Sequence, residues 1–193
     1  AFGRVAMAMA GMDVGTPFGG LGAARDMSFA ALAEPALVVA ALTLAILAGT
    51  TNLDAIAGTF RDSGLGLRVS LGLALVALLA VAVAENARIP VDNPATHLEL
   101  TMVHEAMILE ASGRHLALWD YAAQLRLLLW LALLAAVFLP LGQAPAGSAP
   151  HLWVVGLAAW AVKIGGLALG LAAFESAIAK MRVFRVPEFL GAA

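Results

Sequence analysis

Four long apolar stretches, separated by polar connections, set the pattern of this chain. They run roughly over 28–49, 66–84, 117–140 and 151–175. Each holds about 19–25 residues, enough at a rise of about 1.5 Å per residue to cross a hydrocarbon core of about 30 Å. No alternation of apolar and polar positions suggests a barrel, and backbone groups in lipid must be satisfied within the segment, so the spans are expected to be helices. Residues 1–12 (AFGRVAMAMAGM) are apolar but too short to span, and they lack the basic start and cleavage site of a signal peptide. Because the chain begins at Ala1 and not Met, they read as the tail of a fifth helix in an N-terminally truncated chain. The expected fold is all-α: a polytopic transmembrane helix bundle of four spans plus the end of a fifth, forming one membrane domain over 1–193, with a buried polar helix near 97–111 on the cytoplasmic side.

Composition agrees. Of 193 residues 62% are hydrophobic and only 12% charged, and mean hydropathy is +0.93; an ordinary soluble domain is about 45–50% apolar and about 25% charged. That excess cannot be buried in a core of this size, which excludes a soluble monomer. A net charge of −2 excludes a basic nucleic-acid-binding face. Absence of cysteine rules out disulfides, cysteine-ligated zinc or iron–sulfur clusters and a cysteine nucleophile, so any redox metal chemistry must sit mostly on other chains. The 141–150 connection carries no charge and 50–65 holds only Arg61 as a basic residue, whereas Arg25, Arg88, Arg114, Lys180, Arg182 and Arg185 fall on the opposite side. By the positive-inside rule 13–27, 85–116 and 176–193 are expected in the cytoplasm, in a multi-pass protein of the inner membrane.

The densest chemistry lies in 85–116, which holds Glu85, Arg88, Asp92, His97, Glu99, His104, Glu105, Glu110 and Arg114. Pro90 and Pro94 keep its first part extended or turned. Thr96 with Glu99 forms a capping-box pattern that predicts a helix over about 97–111, stopping near Gly113. On that helix His97, Thr101 and His104 share a stripe flanked by Glu105, while Glu99 and Glu110 share another. Apolar stripes lie between (Leu98, Met102 and Leu109; Leu100 and Met107), which suits a helix surrounded by protein rather than one lying on a membrane surface. A zinc hydrolase would need a second ligand after His104-Glu105 and has none; a dinuclear carboxylate site would need paired Glu-x-x-His motifs, also lacking. Two readings remain open: a proton-conducting array of carboxylates and histidines, or a solvated connection with a charged helix.

Charges also fall within or beside the spans. Lys163, near the middle of the fourth, is too deep to snorkel easily and is expected to be a proton-relay or ion-pair residue facing the bundle interior. Glu175 lies about 120° around the same helix. Asp120 and Arg126 suit structural pairs or partner docking, and Glu34, before Pro35, suits a local opening of the first span. Gly166-x-x-x-Gly170 with Gly165 marks a face for close helix packing. Gly15–Gly22 lacks the Lys-Ser/Thr of a phosphate loop and reads as a shaped cytoplasmic turn, around which Asp13, Arg25 and Asp26 meet a cytosolic partner.

Several of these segments resemble a known family. The run Ala10-Gly-Met-Asp-Val-Gly-Thr-Pro-Phe-Gly-Gly-Leu-Gly22, with Arg25-Asp-Met27 and Glu34-Pro35, is similar to the membrane subunit shared by formate hydrogenlyase (subunit 4) and respiratory complex I (subunit 1, or H). The stretch from Ala87 to Glu110 with Ser112-Gly113-Arg114, and the tail from Phe174 to Glu188, resemble its hydrogenase branch. The resemblance covers essentially the whole chain, as the C-terminal majority of a longer protein. It implies a non-catalytic membrane anchor of an energy-converting complex, binding no cofactor itself. Nickel–iron and iron–sulfur centres would lie on partners: hydrogenase large and small subunits, or a complex I-like peripheral arm, with antiporter-like subunits beside it in the lipid bilayer. It further implies that Asp13, Glu34, Glu85, Asp92, Glu99, Glu105 and Glu110, with Arg25 and Arg88 as partners, lie on the path coupling redox chemistry to proton or sodium movement. In the complex I branch the subunit also helps form a quinone chamber, where the loop usually reads Pro-Phe-Asp followed by a Glu-rich segment. Here Pro90-Val-Asp-Asn-Pro94 and His97 depart from that, so quinone is the lesser expectation. A rival of another class, a stand-alone secondary transporter, would account for Lys163 and the carboxylates but needs inverted repeats that the sequence lacks.

Overall fold

The computed structural model describes residues 2–62, 69–92, 103–144 and 147–178, together with Glu188 and Gly191. Among these all regular structure is helical, with α1 (Phe2–Asp13), α2 (Pro17–Ala48), α3 (Leu53–Asp62), α4 (Val69–Glu85), α5 (His104–Ile108), α6 (Gly113–Phe138) and α7 (Pro150–Ala177). α2, α6 and α7 are long and apolar enough to cross a membrane; α4 is apolar over 17 described residues. The protein is a multi-pass helical membrane protein.

α2 is the hub. It packs against α1, α3, α4 and α5, and the main core lies along its seam with α4 and α6, where Ala33 and Val81 are fully buried beside Phe29, Leu78, Trp130 and Leu134. Small residues such as Ala33, Ala40, Ala74 and Ala77 let these helices approach closely where hydrophobic burial adds nothing between lipid and protein. At 32 residues α2 is about 48 Å long, so it overshoots a bilayer core of about 30 Å.

That overshoot corrects the expected start of the first span. The Gly15–Gly22 stretch is not a turn: after Gly15 the chain enters α2, with Thr16 as N-cap, its Oγ1 accepting from the Gly19 amide at 3.3 Å, and Pro17 at the first helical position. The glycines permit contact. A Cβ on Gly22 would lie 2.8 Å from the Val103 carbonyl oxygen and 2.9 Å from Ala106 Cβ, and one on Gly19 would strike the Gly11 carbonyl oxygen. α2 also runs through Pro35 without interruption, so no opening forms at Glu34.

Other boundaries shift likewise. The 50–65 connection, expected as a loop, contains the amphipathic α3. α6 begins at Gly113, four residues before the expected span, so Gly113 opens a helix rather than ending one. Of the helix expected over 97–111, His104–Ile108 is helical and Leu109–Glu110 is a turn. Thr96, His97, Leu98, Glu99, Leu100, Thr101 and Met102 lie outside the described residues, as do Arg68, Lys180, Arg182 and Arg185.

α7 stands apart, with no buried residue. Its Gly165, Gly166 and Gly170 face open space instead of a closely packed helix of this chain. Gly166 and Gly170 border an apolar groove of about 300 Å³ between α4, α6 and α7.

Candidate functional site

Charges gather where α1, α2, α4, α5 and α6 meet. α4 ends in a backbone turn that sets their positions: the Arg88 amide donates to the Val83 carbonyl at 3.0 Å and the Ala87 amide to Ala84 at 3.3 Å, with Ala87 left-handed at φ 49°. This is the Schellman arrangement, here with alanine where glycine is usual. Asn86 Nδ2 donates to the Ala82 carbonyl at 2.7 Å. The turn leaves Glu85 on the last residue of α4 and directs the chain through Arg88 toward Asp92.

Arg4 of α1, only 5% exposed, lies between two carboxylates. Its Nε is 3.2 Å from Glu85 Oε2 and 4.0 Å from Asp26 Oδ2 on α2. Both acids are themselves largely buried, at 13% and 14% side-chain exposure. Arg126 of α6 lies within electrostatic reach of Arg4, Glu85 and Asp26. Two guanidinium and two carboxylate groups thus share one poorly hydrated region, where removing one member of a pair costs about 3–5 kcal/mol because its partner stays charged and buried.

Next to this group lies a polar cavity of about 280 Å³, lined by Arg88, Asp92, His104, Glu105, Asp120 and Arg126 among others. Asp92 is 4% exposed. Burial pushes His104 down from its usual 6.5 to about 4, helped by the positive charges of Arg126 and Arg4 and opposed by Asp92 and Asp120. His104 is therefore neutral near pH 7 and offers the cavity one donor and one acceptor nitrogen instead of a charge. On the far side Arg88 Nη1 stands 3.8 Å from Glu175 Oε1 on α7, so these two residues, distant in sequence, meet. Charged groups therefore extend from α1 through α2, α4 and α6 to α7.

The structure brings Glu85, Arg88, Asp92, His104, Glu105 and Glu175 into this region. Asp13, Glu110 and Arg114 are exposed, while Arg25 and Glu34 are half-buried on α2; His97 and Glu99 are outside the described residues. Lys163 lies elsewhere. Its Nζ donates to the Leu139 and Leu141 carbonyls at 3.0 and 2.9 Å, just past the end of α6. Gln143 Nε2 donates to the Ala136 carbonyl at 3.1 Å. Irregular backbone at membrane depth requires such donors, and a cation suits the negative end of a helix.

Arg4 and Asp26 were not singled out as coupling residues from the sequence, and Arg126 only as a structural charge. A signal for Arg4 exists: it is the one cation in an otherwise apolar helical turn, which at membrane depth marks a functional residue by default.

The chain matches the family described as NADH dehydrogenase over residues 1–191. It is 35% identical over 141 residues to hydrogenase-4 component C of Escherichia coli, covering 73% of this chain and 44% of that protein. It is 30% identical over 187 residues to formate hydrogenlyase subunit 4 of the same organism, covering 97% of this chain and 60% of the relative. The chain thus spans about half the length of these curated relatives.

Proposed function

Because the chain belongs to the NADH dehydrogenase family, we propose that it is a non-catalytic membrane-anchor subunit of a nickel–iron hydrogenase-type complex, formate hydrogenlyase- or hydrogenase-4-like, that docks a peripheral redox arm and couples electron transfer to proton or sodium movement. The observation that carries this reading is the buried charge assembly at one end of the bundle: Arg4, Asp26, Glu85 and Arg126 beside a cavity bearing Asp92, His104 and Glu105. Desolvated charges are costly to hold in a membrane protein, and a cluster of them with titratable members beside a cavity is what an ion path uses. Nickel–iron and iron–sulfur centres belong to hydrogenase large and small subunits docked on this end, and antiporter-like subunits lie alongside in the inner membrane. In this reading Arg25, Arg88 and Arg114 mark the cytoplasmic side.

Affinity purification of the full-length subunit from native membranes is expected to bring down iron–sulfur and nickel–iron proteins; a stable complex without them overturns the reading. In the isolated complex, Glu105→Gln is expected to lower ion movement per hydrogen turned over, and an unchanged ratio argues against coupling through this cavity. One observation favours quinone as a second reading: Asn86, Arg88 and Leu127 border both the apolar groove and the polar cavity, an arrangement suited to a ligand with a polar head and an apolar tail. Quinone-dependent electron transfer by the same preparation tests it.

A further inference from the structure

The coupling reading names carboxylates; the positive charge set against them raises a separate question. Arg4 is buried on α1, and its guanidinium has almost no access to water that would balance its charge. Its neighbours must do so, and two are in position. Glu85 of α4 is 3.2 Å from Arg4 Nε, and Asp26 of α2 is 4.0 Å from the same nitrogen. An arginine in a permanent structural pair is usually held by two parallel hydrogen bonds in its fork. Here neither Nε nor Nη1 donates a hydrogen bond among the described residues. Its Nε lies closer to one of two available counter-ions.

We propose that Arg4 is the resident counter-ion of the coupling path: a positioning residue that occupies Glu85 until a translocated proton or sodium ion displaces it, and that Asp26 retains while displaced. This rests on the coupling reading above. At rest Arg4 and Arg126 balance Glu85 and Asp26. A monovalent cation arriving at Glu85 leaves the group with one excess positive charge, and the two guanidinium groups then repel it onward. The groups facing Arg4 come from every neighbouring helix: Asp26 of α2, Glu85 of α4, His104 of α5 and Arg126 of α6. Asp92 and Glu105 border the adjoining cavity and offer the next carboxylates.

The test uses the intact membrane complex in proteoliposomes. Proton uptake is read by a pH-gradient dye and sodium uptake by radioactive sodium, each divided by dye-linked hydrogen turnover of the same preparation. Glu85→Gln and Arg4→Gln are each expected to lower this ratio about tenfold, within the usual span of coupling effects. Arg4→Lys keeps the charge and is expected to retain at least about half the ratio, and the double variant Arg4→Gln/Glu85→Gln should be no worse than Glu85→Gln alone, as for two groups acting through one contact. A normal ratio in Arg4→Gln with a low one in Glu85→Gln overturns the role of Arg4 and leaves the coupling reading standing. Normal ratios in both overturn the coupling reading itself. Arg4→Lys as low as Arg4→Gln overturns the counter-ion role. Should Arg4→Gln fail to assemble on native gels, Asp26→Asn decides: a ratio lowered about fivefold supports the retaining role, and an unchanged one overturns it.

Discussion

Lys163 and Arg4 lie in different parts of the helix bundle, and they are balanced in opposite ways. Lys163 on α7 is held by the carbonyls of Leu139 and Leu141, at 3.0 and 2.9 Å. Arg4 on α1 is held by the carboxylates of Glu85 and Asp26, at 3.2 and 4.0 Å. A backbone carbonyl cannot gain or lose a proton, so the partners of Lys163 keep their charge. A carboxylate can be neutralised by an arriving cation, so the environment of Arg4 is conditional. A charge within an apolar helix therefore does not by itself mark an ion path; the nature of its partner does.

The comparison can be broken most directly at Arg4. Arg4→Leu leaves two buried carboxylates facing Arg126 alone and is expected to destabilise the chain by about 3–5 kcal/mol, read as loss of assembled complex at native temperature and of its thermal midpoint. Lys163→Met removes two hydrogen bonds from a charged donor, worth about 1.5–3 kcal/mol each before the gain from removing the charge is subtracted. It is expected to lower thermal stability while leaving ions moved per hydrogen unchanged; a fall in that ratio would place Lys163 on the path and erase the distinction.

Gly22→Ala tests the packing that supports the Arg4 side. Its Cβ would meet the Val103 carbonyl and Ala106, forcing α5 away from α2 at an expected cost of about 1–3 kcal/mol. Greater sensitivity of the 103–108 region to limited proteolysis is the readout.

His104 adds a pH dependence confined to the same side. Its value of about 4 in the folded chain lies below the ordinary 6.5, so the unfolded chain binds more protons between these limits and stability falls as pH drops from 6.5 toward 4. The slope is at most about 1.4 kcal/mol per pH unit. His104→Gln should remove this component from thermal midpoints measured across that window, and an unaltered pH profile would contradict the buried neutral imidazole.

The smallest expected effect is a gain. Ala87→Gly relieves the left-handed alanine at φ 49° and is expected to stabilise by up to about 1 kcal/mol, measured as a higher thermal midpoint.

The long apolar runs were legible because lipid imposes one requirement on every residue of a span, and that requirement shows in composition alone. Family membership was legible in the motifs around Asp13, Arg25 and Ala87–Glu110. The start of α2 was harder to read. Four glycines in Gly15–Gly22 lower helix propensity, yet Thr16-Pro17 is a good helix start, and contact with α1 and α5 at Gly19 and Gly22 outweighs the propensity. Hidden for a different reason, Arg4 and Asp26 sit outside the conspicuous polar connection and meet Glu85 only through the packing of α1 and α2 on α4. One-dimensional pattern reports a charge's depth but not its neighbour.

Lys163 has a consequence for biogenesis. α6 ends beside the midpoint of α7, so the carbonyls just past the end of one segment and the ammonium of the next are complementary. Alone in the bilayer, α7 would expose that ammonium to hydrocarbon, an insertion penalty of about 2.5–3.5 kcal/mol. Leaving the translocon together, α6 and α7 cancel each other's polar groups. The two segments are therefore expected to partition into the membrane as one helical hairpin, the order of synthesis delivering the acceptor carbonyls before the lysine that needs them.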